Sequence, residues 1–157
     1  MPLDVGAIAP QFSAPGLSGD GTERRTYALS EFAGAPVVLV FYPKDNSPVC
    51  TAQLRSYTDD INAFGSVGAQ VMAISPQDLD EHANFVADSG PFAFPLLDDR
   101  EKSIATKYGT LGPLGFYRRS IIIIDGSGTV RWARRSAAGL TFRPVDEIID
   151  AIRSITD

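Results

Sequence analysis

One cysteine and one histidine stand in the 157 residues of this chain. A single thiol cannot close an internal disulfide, so nothing argues for an oxidising compartment, and the reading is a cytoplasmic protein. One Cys and one His make no ligand cluster, so neither a metal site nor a cofactor is expected. The missing partner of a C-x-x-C pair excludes a disulfide reductase of that type. Long apolar runs are also lacking. The stretches at 35–42 and 121–124 fall far short of the roughly 20 residues that a membrane helix needs. Met1-Pro2-Leu3-Asp4 carries no basic segment with an apolar run behind it, so no secretory leader is read there. Positive charge is in deficit, with 14 Lys and Arg against 19 Asp and Glu, a net charge of −5. The pairs Arg24-Arg25, Arg118-Arg119 and Arg134-Arg135 are scattered, and without a concentrated basic stripe a nucleic-acid partner is excluded.

What remains is ordinary globular composition, 44% hydrophobic and 21% charged, enough to bury a core in one domain spanning 1–157. A stretch at 11–14, a glycine-rich turn at 16–21 and a stretch at 25–29 read as an N-terminal hairpin. The near-continuous apolar run at 36–42 reads as a strand buried on both faces. Residues 69–74 and 121–125 read the same way. Asp125-Gly126-Ser127-Gly128 then turns into a fourth strand at 129–133. Leu54, Tyr57, Ile61 and Phe64 recur at helical spacing, which predicts a helix over 48–64. Leu79, Ala83 and Val86 predict a second helix, with Pro76 at its first position. Ile148, Ile149, Ile152 and Ile155 mark a C-terminal helix after Arg143-Pro144. The alternation is that of an α/β protein with a central mixed sheet flanked by helices.

The chemistry concentrates between Phe41 and Leu54, where a buried strand gives way to a helix, the crevice side of an α/β sheet. Ser47 has the properties of an N-cap and Pro48 fits the position after it. Cys50 then falls at the third helical position, where unpaired N–H groups and the helix dipole favour negative charge. A cysteine there is biased towards the thiolate, the reactive form. A lone cysteine is more often a buried core residue, and it is the place at a helix start, just after a central strand, that points Cys50 towards chemistry.

These residues carry a resemblance. Pro43, Ser47 and Cys50 match the Pro-x-x-x-Thr/Ser-x-x-Cys signature of the peroxiredoxins. Phe41-Tyr42-Pro43-Lys44-Asp45 resembles the bacterioferritin-comigratory, or Q-type, branch. Val5-Gly6 through Phe12 is similar to the family's opening, and Phe94 through Asp99 to its middle. Arg119 stands six residues before Asp125, where the family's second active-site arginine precedes an apolar strand. The resemblance implies a thioredoxin-like fold and a thiol-dependent peroxidase acting on hydrogen peroxide and organic hydroperoxides. It assigns Cys50 as the nucleophile that becomes a sulfenic acid, and Ser47 as a hydroxyl offered to the peroxide. Arg119 would favour the thiolate and stabilise the leaving oxygen, and Pro43 would shield the sulfur. Gln53 stands where many members carry Glu, so the contacts usual at that position are not assured. Arg55 stands where Q-type members often carry a resolving cysteine. A one-cysteine cycle follows, with an outside thiol (thioredoxin, glutaredoxin or a small thiol) as reductant. The same resemblance implies a monomer or a homodimer.

Other residues read as structure. His82 is expected on the solvent face of its helix, Asp98-Asp99 as a helix cap near Glu101, and Trp132 as packing. Phe41, Tyr42, Phe116 and Tyr117 fit either a pocket lining or an interface. Strand alternation allows only one of Arg118 and Arg119 to face the pocket, and the spacing favours Arg119. Two other functions compete. A cysteine hydrolase or transferase would need His82 beside the thiol as its base. A thioredoxin-fold sensor or binding protein would use Cys50 without turnover.

Overall fold

Val37–Phe41 forms strand β3, and all five of its side chains are buried. Alternate residues leave a strand on opposite faces, so Val38 and Val40 enter one core while Val37, Leu39 and Phe41 enter another. The computed structural model that shows this describes residues 3–136 and 142–156. The expectation for Met1 and Pro2 lies outside them.

The N-terminal hairpin is present as β1 (Ser13–Leu17) and β2 (Arg24–Ala28). After β3 come α1 (Pro48–Asp59), α2 (Ile61–Ser66), β4 (Gln70–Ser75) and α3 (Leu79–Ser89). Then follow β5 (Leu96–Asp98), α4 (Ser103–Tyr108), β6 (Ser120–Ile124), β7 (Val130–Arg135) and α5 (Val145–Thr156). Among the described residues the strands form a seven-stranded sheet in the order β2-β1-β5-β4-β3-β6-β7. Strand β3 runs parallel to β4 and antiparallel to β6, so the sheet is mixed, as expected. One face carries Leu54, Tyr57, Phe64, Phe85, Ile148 and Ile152 from α1, α2, α3 and α5. The other carries Phe12, Leu29, Ile104 and Tyr108 from the N-terminal segment and α4.

Three expectations shift. The helix over 48–64 is two helices, because Asp60 leaves helical geometry at φ −104° and ψ 23°. Pro76 is not the first residue of α3. That helix starts at Leu79 on the Asp78 carboxylate, which accepts the Glu81 N–H at 2.9 Å. β5 is added at 96–98, too short for periodicity to reveal, and it inserts between β1 and β4.

The register sets the site. Phe41 at the C-terminal end of β3 pairs with Ser120 at the N-terminal end of β6. Residue 119 therefore lies at the same sheet end as the loop 42–47 that leads into α1.

Candidate active site

Helix α1 begins where the sequence places it. Ser47 is in extended geometry at the N-cap, Pro48 is the first helical residue and Cys50 the third. The Ser47 side chain does not cap the helix. Its hydroxyl donates to the Lys44 carbonyl at 3.0 Å, turned back across the loop. Thr51 closes the first turn, donating to the Ser47 carbonyl through its N–H at 2.9 Å and its hydroxyl at 2.8 Å. The Cys50 N–H lies one residue earlier, among the first-turn groups that an α-helix leaves without an intrahelical acceptor.

Arg119 meets this helix start from across the sheet. Its Nη2 donates to Cys50 Sγ at 3.0 Å and its Nη1 to Gln53 Oε1 at 2.6 Å. Gln53 Nε2 in turn donates to the Tyr57 hydroxyl at 3.2 Å, and that hydroxyl donates to the Arg143 carbonyl at 2.6 Å. Cys50, Gln53 and Tyr57 stand at helical spacing on the buried face of α1, and each is fully buried. Burial pushes the Tyr57 phenol well above its ordinary range, so it stays protonated and can donate. A guanidinium beside a sulfur at a helix N-terminus is an arrangement that favours thiolate over thiol. A cavity of about 110 Å³ lies behind the pair, with Gln53, Arg119, Arg134 and Arg143 in its wall. A larger one of about 560 Å³, between β1 and α4, includes none of these residues and has no part in this chemistry.

Residues 5–133 match the AhpC/TSA family. The chain belongs to the peroxiredoxins. It is 30% identical over 155 residues to the chloroplastic peroxiredoxin Q of Triticum aestivum, covering 98% of this chain and 67% of that protein. It is 29% identical over 161 residues to peroxiredoxin 2 of Picrophilus torridus, covering 99% of this chain and 77% of that protein. The structure of the reduced 2-Cys peroxiredoxin of Plasmodium vivax superposes with a TM-score of 0.90 at 28% identity, covering 99% of this chain and 83% of that one. The fold is thioredoxin-like, and this peroxiredoxin is a thiol-dependent peroxidase that takes a peroxide as substrate and a thiol as reductant. Its single cysteine fits the one-cysteine branch.

The peroxiredoxin brings Cys50 and Arg119 into contact and turns Arg118 elsewhere, its side chain lying against Gly112. Pro43 and Ser47 are half-buried in the loop before α1. Gln53, whose contacts the sequence left open, reaches Arg119. Tyr57, read as stripe packing, also uses its polar end to close the hydrogen-bond chain. A polar residue three positions after the cysteine, and a tyrosine four after that, was the available signal.

His82 is the clear correction. It is fully buried, with Nδ1 2.6 Å from Asp45 Oδ2 and Nε2 2.9 Å from the Leu97 carbonyl. Treating it as polar moved the stripe by one position, for the buried residues of α3 are His82, Phe85 and Val86. Both ring nitrogens are engaged away from Cys50, which removes the base that a cysteine hydrolase would need. Asp99, expected as a cap, accepts the N–H groups of Ile104 and Ala105 at 3.1 Å each, and also the Tyr117 hydroxyl. Phe41, Tyr42 and Tyr117 are core residues, while Phe116 is 71% exposed. Trp132 packs at the edge of the core, with Arg134 over its ring at 4.3 Å.

Proposed function

We propose that Cys50 is the peroxidatic nucleophile, that Arg119, Ser47 and Pro43 serve it, and that the cycle uses one cysteine. The observation that carries this reading is the 3.0 Å contact from Arg119 Nη2 to Cys50 Sγ at the start of α1. The thiolate attacks the terminal oxygen of the hydroperoxide and the O–O bond breaks. That oxygen keeps its hydrogen and becomes the sulfenic acid of Cys50. The leaving oxygen takes up a proton and departs as water or an alcohol. Arg119 stabilises the negative charge as it moves from sulfur to the leaving oxygen. The Ser47 hydroxyl already donates to Lys44, so its oxygen lone pairs are oriented to accept from the peroxide O–H. The Cys50 N–H is placed to donate to the same substrate, and Pro43 shields the sulfur from water.

Arg55 occupies the expected resolving position and ties its guanidinium to the Pro91 carbonyl at 3.0 Å. An external thiol then condenses with the sulfenic acid, releasing water and leaving a mixed disulfide. A second thiol releases Cys50 as the thiol. Thioredoxin, glutaredoxin and a small thiol are the reductant classes, with hydrogen peroxide and organic hydroperoxides as substrates. We further propose one domain spanning 1–157, a monomer or homodimer, and a cytoplasmic location, where reductant keeps a lone thiol reduced. Neither nucleic acid nor membrane enters this scheme.

The test is peroxide consumption with several thiol donors, wild type against Cys50→Ser. The serine hydroxyl is similar in size but a poor nucleophile, so turnover should vanish while circular dichroism is unchanged. Substantial residual turnover in Cys50→Ser would overturn the assignment. Stoichiometric oxidation without turnover under every donor would instead favour a sensor.

A further inference from the structure

The loop from 43 to 47 has little apolar surface of its own to fix it, yet it sets where Ser47 and the start of α1 stand. Asn46 within it adopts φ +62°, a left-handed geometry that a non-glycine residue holds only where its surroundings impose it. The surroundings are a buried polar network centred on Asp45, which is 6% exposed. Asp45 Oδ1 accepts the Tyr42 hydroxyl at 2.7 Å, and Oδ2 lies 2.6 Å from His82 Nδ1. The Asp45 N–H donates to Gln77 Oε1 at 3.0 Å, an oxygen that also accepts the Ser75 hydroxyl at 2.9 Å. A carbonyl oxygen only accepts, so His82 Nε2 carries a hydrogen and donates to Leu97 at 2.9 Å. A proton likewise lies between Nδ1 and the Asp45 carboxylate. Burial, then the nearby carboxylate, holds the Tyr42 phenol far above its ordinary range, so it remains a donor.

The centre of the loop is thus tied to the end of β3, to the loop after β4, to α3 and, through the imidazole, to β5. We propose that Asp45 and His82 are a positioning pair that holds the active-site loop, so that the Ser47 hydroxyl and the helix start meet the peroxide in one geometry. The proposal rests on Cys50 as the peroxidatic sulfur. His82 touches no reacting atom and acts through Asp45. A buried pair in a low-dielectric interior is costly to break, because the partner left behind stays desolvated. Its geometry is therefore passed to the loop rather than absorbed by it.

His82→Asn and His82→Gln separate the two ends of the imidazole. The Asn amide nitrogen falls near the Nδ1 position and keeps a donor for Asp45. The Gln amide nitrogen falls near Nε2 and keeps only the Leu97 contact. Second-order rates of Cys50 with hydrogen peroxide and with iodoacetamide are measured on the full chain, together with amide hydrogen exchange over 43–51. Iodoacetamide needs a thiolate and access but no peroxide cradle. For His82→Gln the peroxide rate should fall at least tenfold relative to the iodoacetamide rate, and exchange over 43–51 should rise at least tenfold. His82→Asn should stay within about threefold of wild type in both. Should His82→Gln fail to fold, Tyr42→Phe removes one donor to Asp45 at nearly constant shape, and its exchange should rise in the same segment. Equal behaviour of Asn and Gln, parallel loss of both rates, or unchanged exchange over 43–51 would overturn the pair. A wild type inert towards peroxide would overturn the reading of Cys50, and the exchange results would still decide the clamp.

Discussion

Arg119 works at the site through two nitrogens of one planar group, and its effect outweighs that of the helix. Opposite unit charges about 4 Å apart interact by roughly 4 kcal/mol at an effective dielectric near 20. A helix N-terminus contributes about 0.3–1 kcal/mol to a nearby negative charge. Removing the arginine should therefore cost more than any change at the helix start. We expect Arg119→Met to slow the reaction of Cys50 with hydrogen peroxide at least tenfold, about 1.4 kcal/mol of transition-state stabilisation. Arg118→Met should stay within about threefold, because its side chain lies against Gly112 rather than the sulfur. Stopped-flow kinetics on both variants checks the order, and the reverse order would mean that the active arginine is the other one. Gln53 sharpens the point. It accepts from Nη1 at 2.6 Å without the neutralising charge that a glutamate would bring.

At the scale of elements, two helices bear on the site in different ways. Helix α1 carries Cys50 itself and is pinned by Leu54, Tyr57 and the paired bonds of Thr51 to Ser47. Helix α3 carries His82 and begins on a true side-chain cap, the Asp78 carboxylate on the Glu81 N–H. Removing such a cap costs about 1 kcal/mol, in a range of about 0.5–2. Asp78→Ala should lower the urea unfolding free energy by that amount with an unchanged m-value. Its peroxide rate should stay within about twofold, since Asp78 itself makes no bond to the 43–47 loop. A large loss of rate at constant stability would show that the start of α3 reaches the site more directly than these contacts convey.

At the scale of the whole molecule, the buried sulfur governs what happens after oxidation. Cys50 has no exposed surface, and the chain holds no second thiol to capture its sulfenic acid. The lifetime of that acid is then set by the concentration and access of an outside thiol. Stoichiometric peroxide without reductant should add one oxygen to the intact mass, and excess peroxide should carry it to about two. A disulfide between two copies should be minor, because a second protein cannot bring its own buried sulfur to this one without opening both. Added small thiol or a thioredoxin-like donor should return the sulfenic form to the reduced mass. Intact-mass spectrometry reads each of these states. A mass unchanged after stoichiometric peroxide at neutral pH would mean that Cys50 is not poised for the reaction.

Local order along the chain was enough to determine much of this. The run of buried residues in β3, Ser47-Pro48 before Cys50 and the apolar stripe of α1 each depend on neighbours a few positions away. Periodicity and capping report such neighbours directly. The hairpin, the mixed sheet and the choice of Arg119 over Arg118 were legible for the same reason. The rest depended on pairings between distant segments. Strand β5 is three residues long and exists because β1 and β4 flank it. That residue 119 touches residue 50 follows from the antiparallel register of β3 with β6, which places Ser120 beside Phe41. His82 was misplaced because a polar side chain on a helix is ordinarily solvated. Only the folded chain supplies Asp45 and the Leu97 carbonyl, 37 and 15 residues away, as the partners that make its burial tolerable.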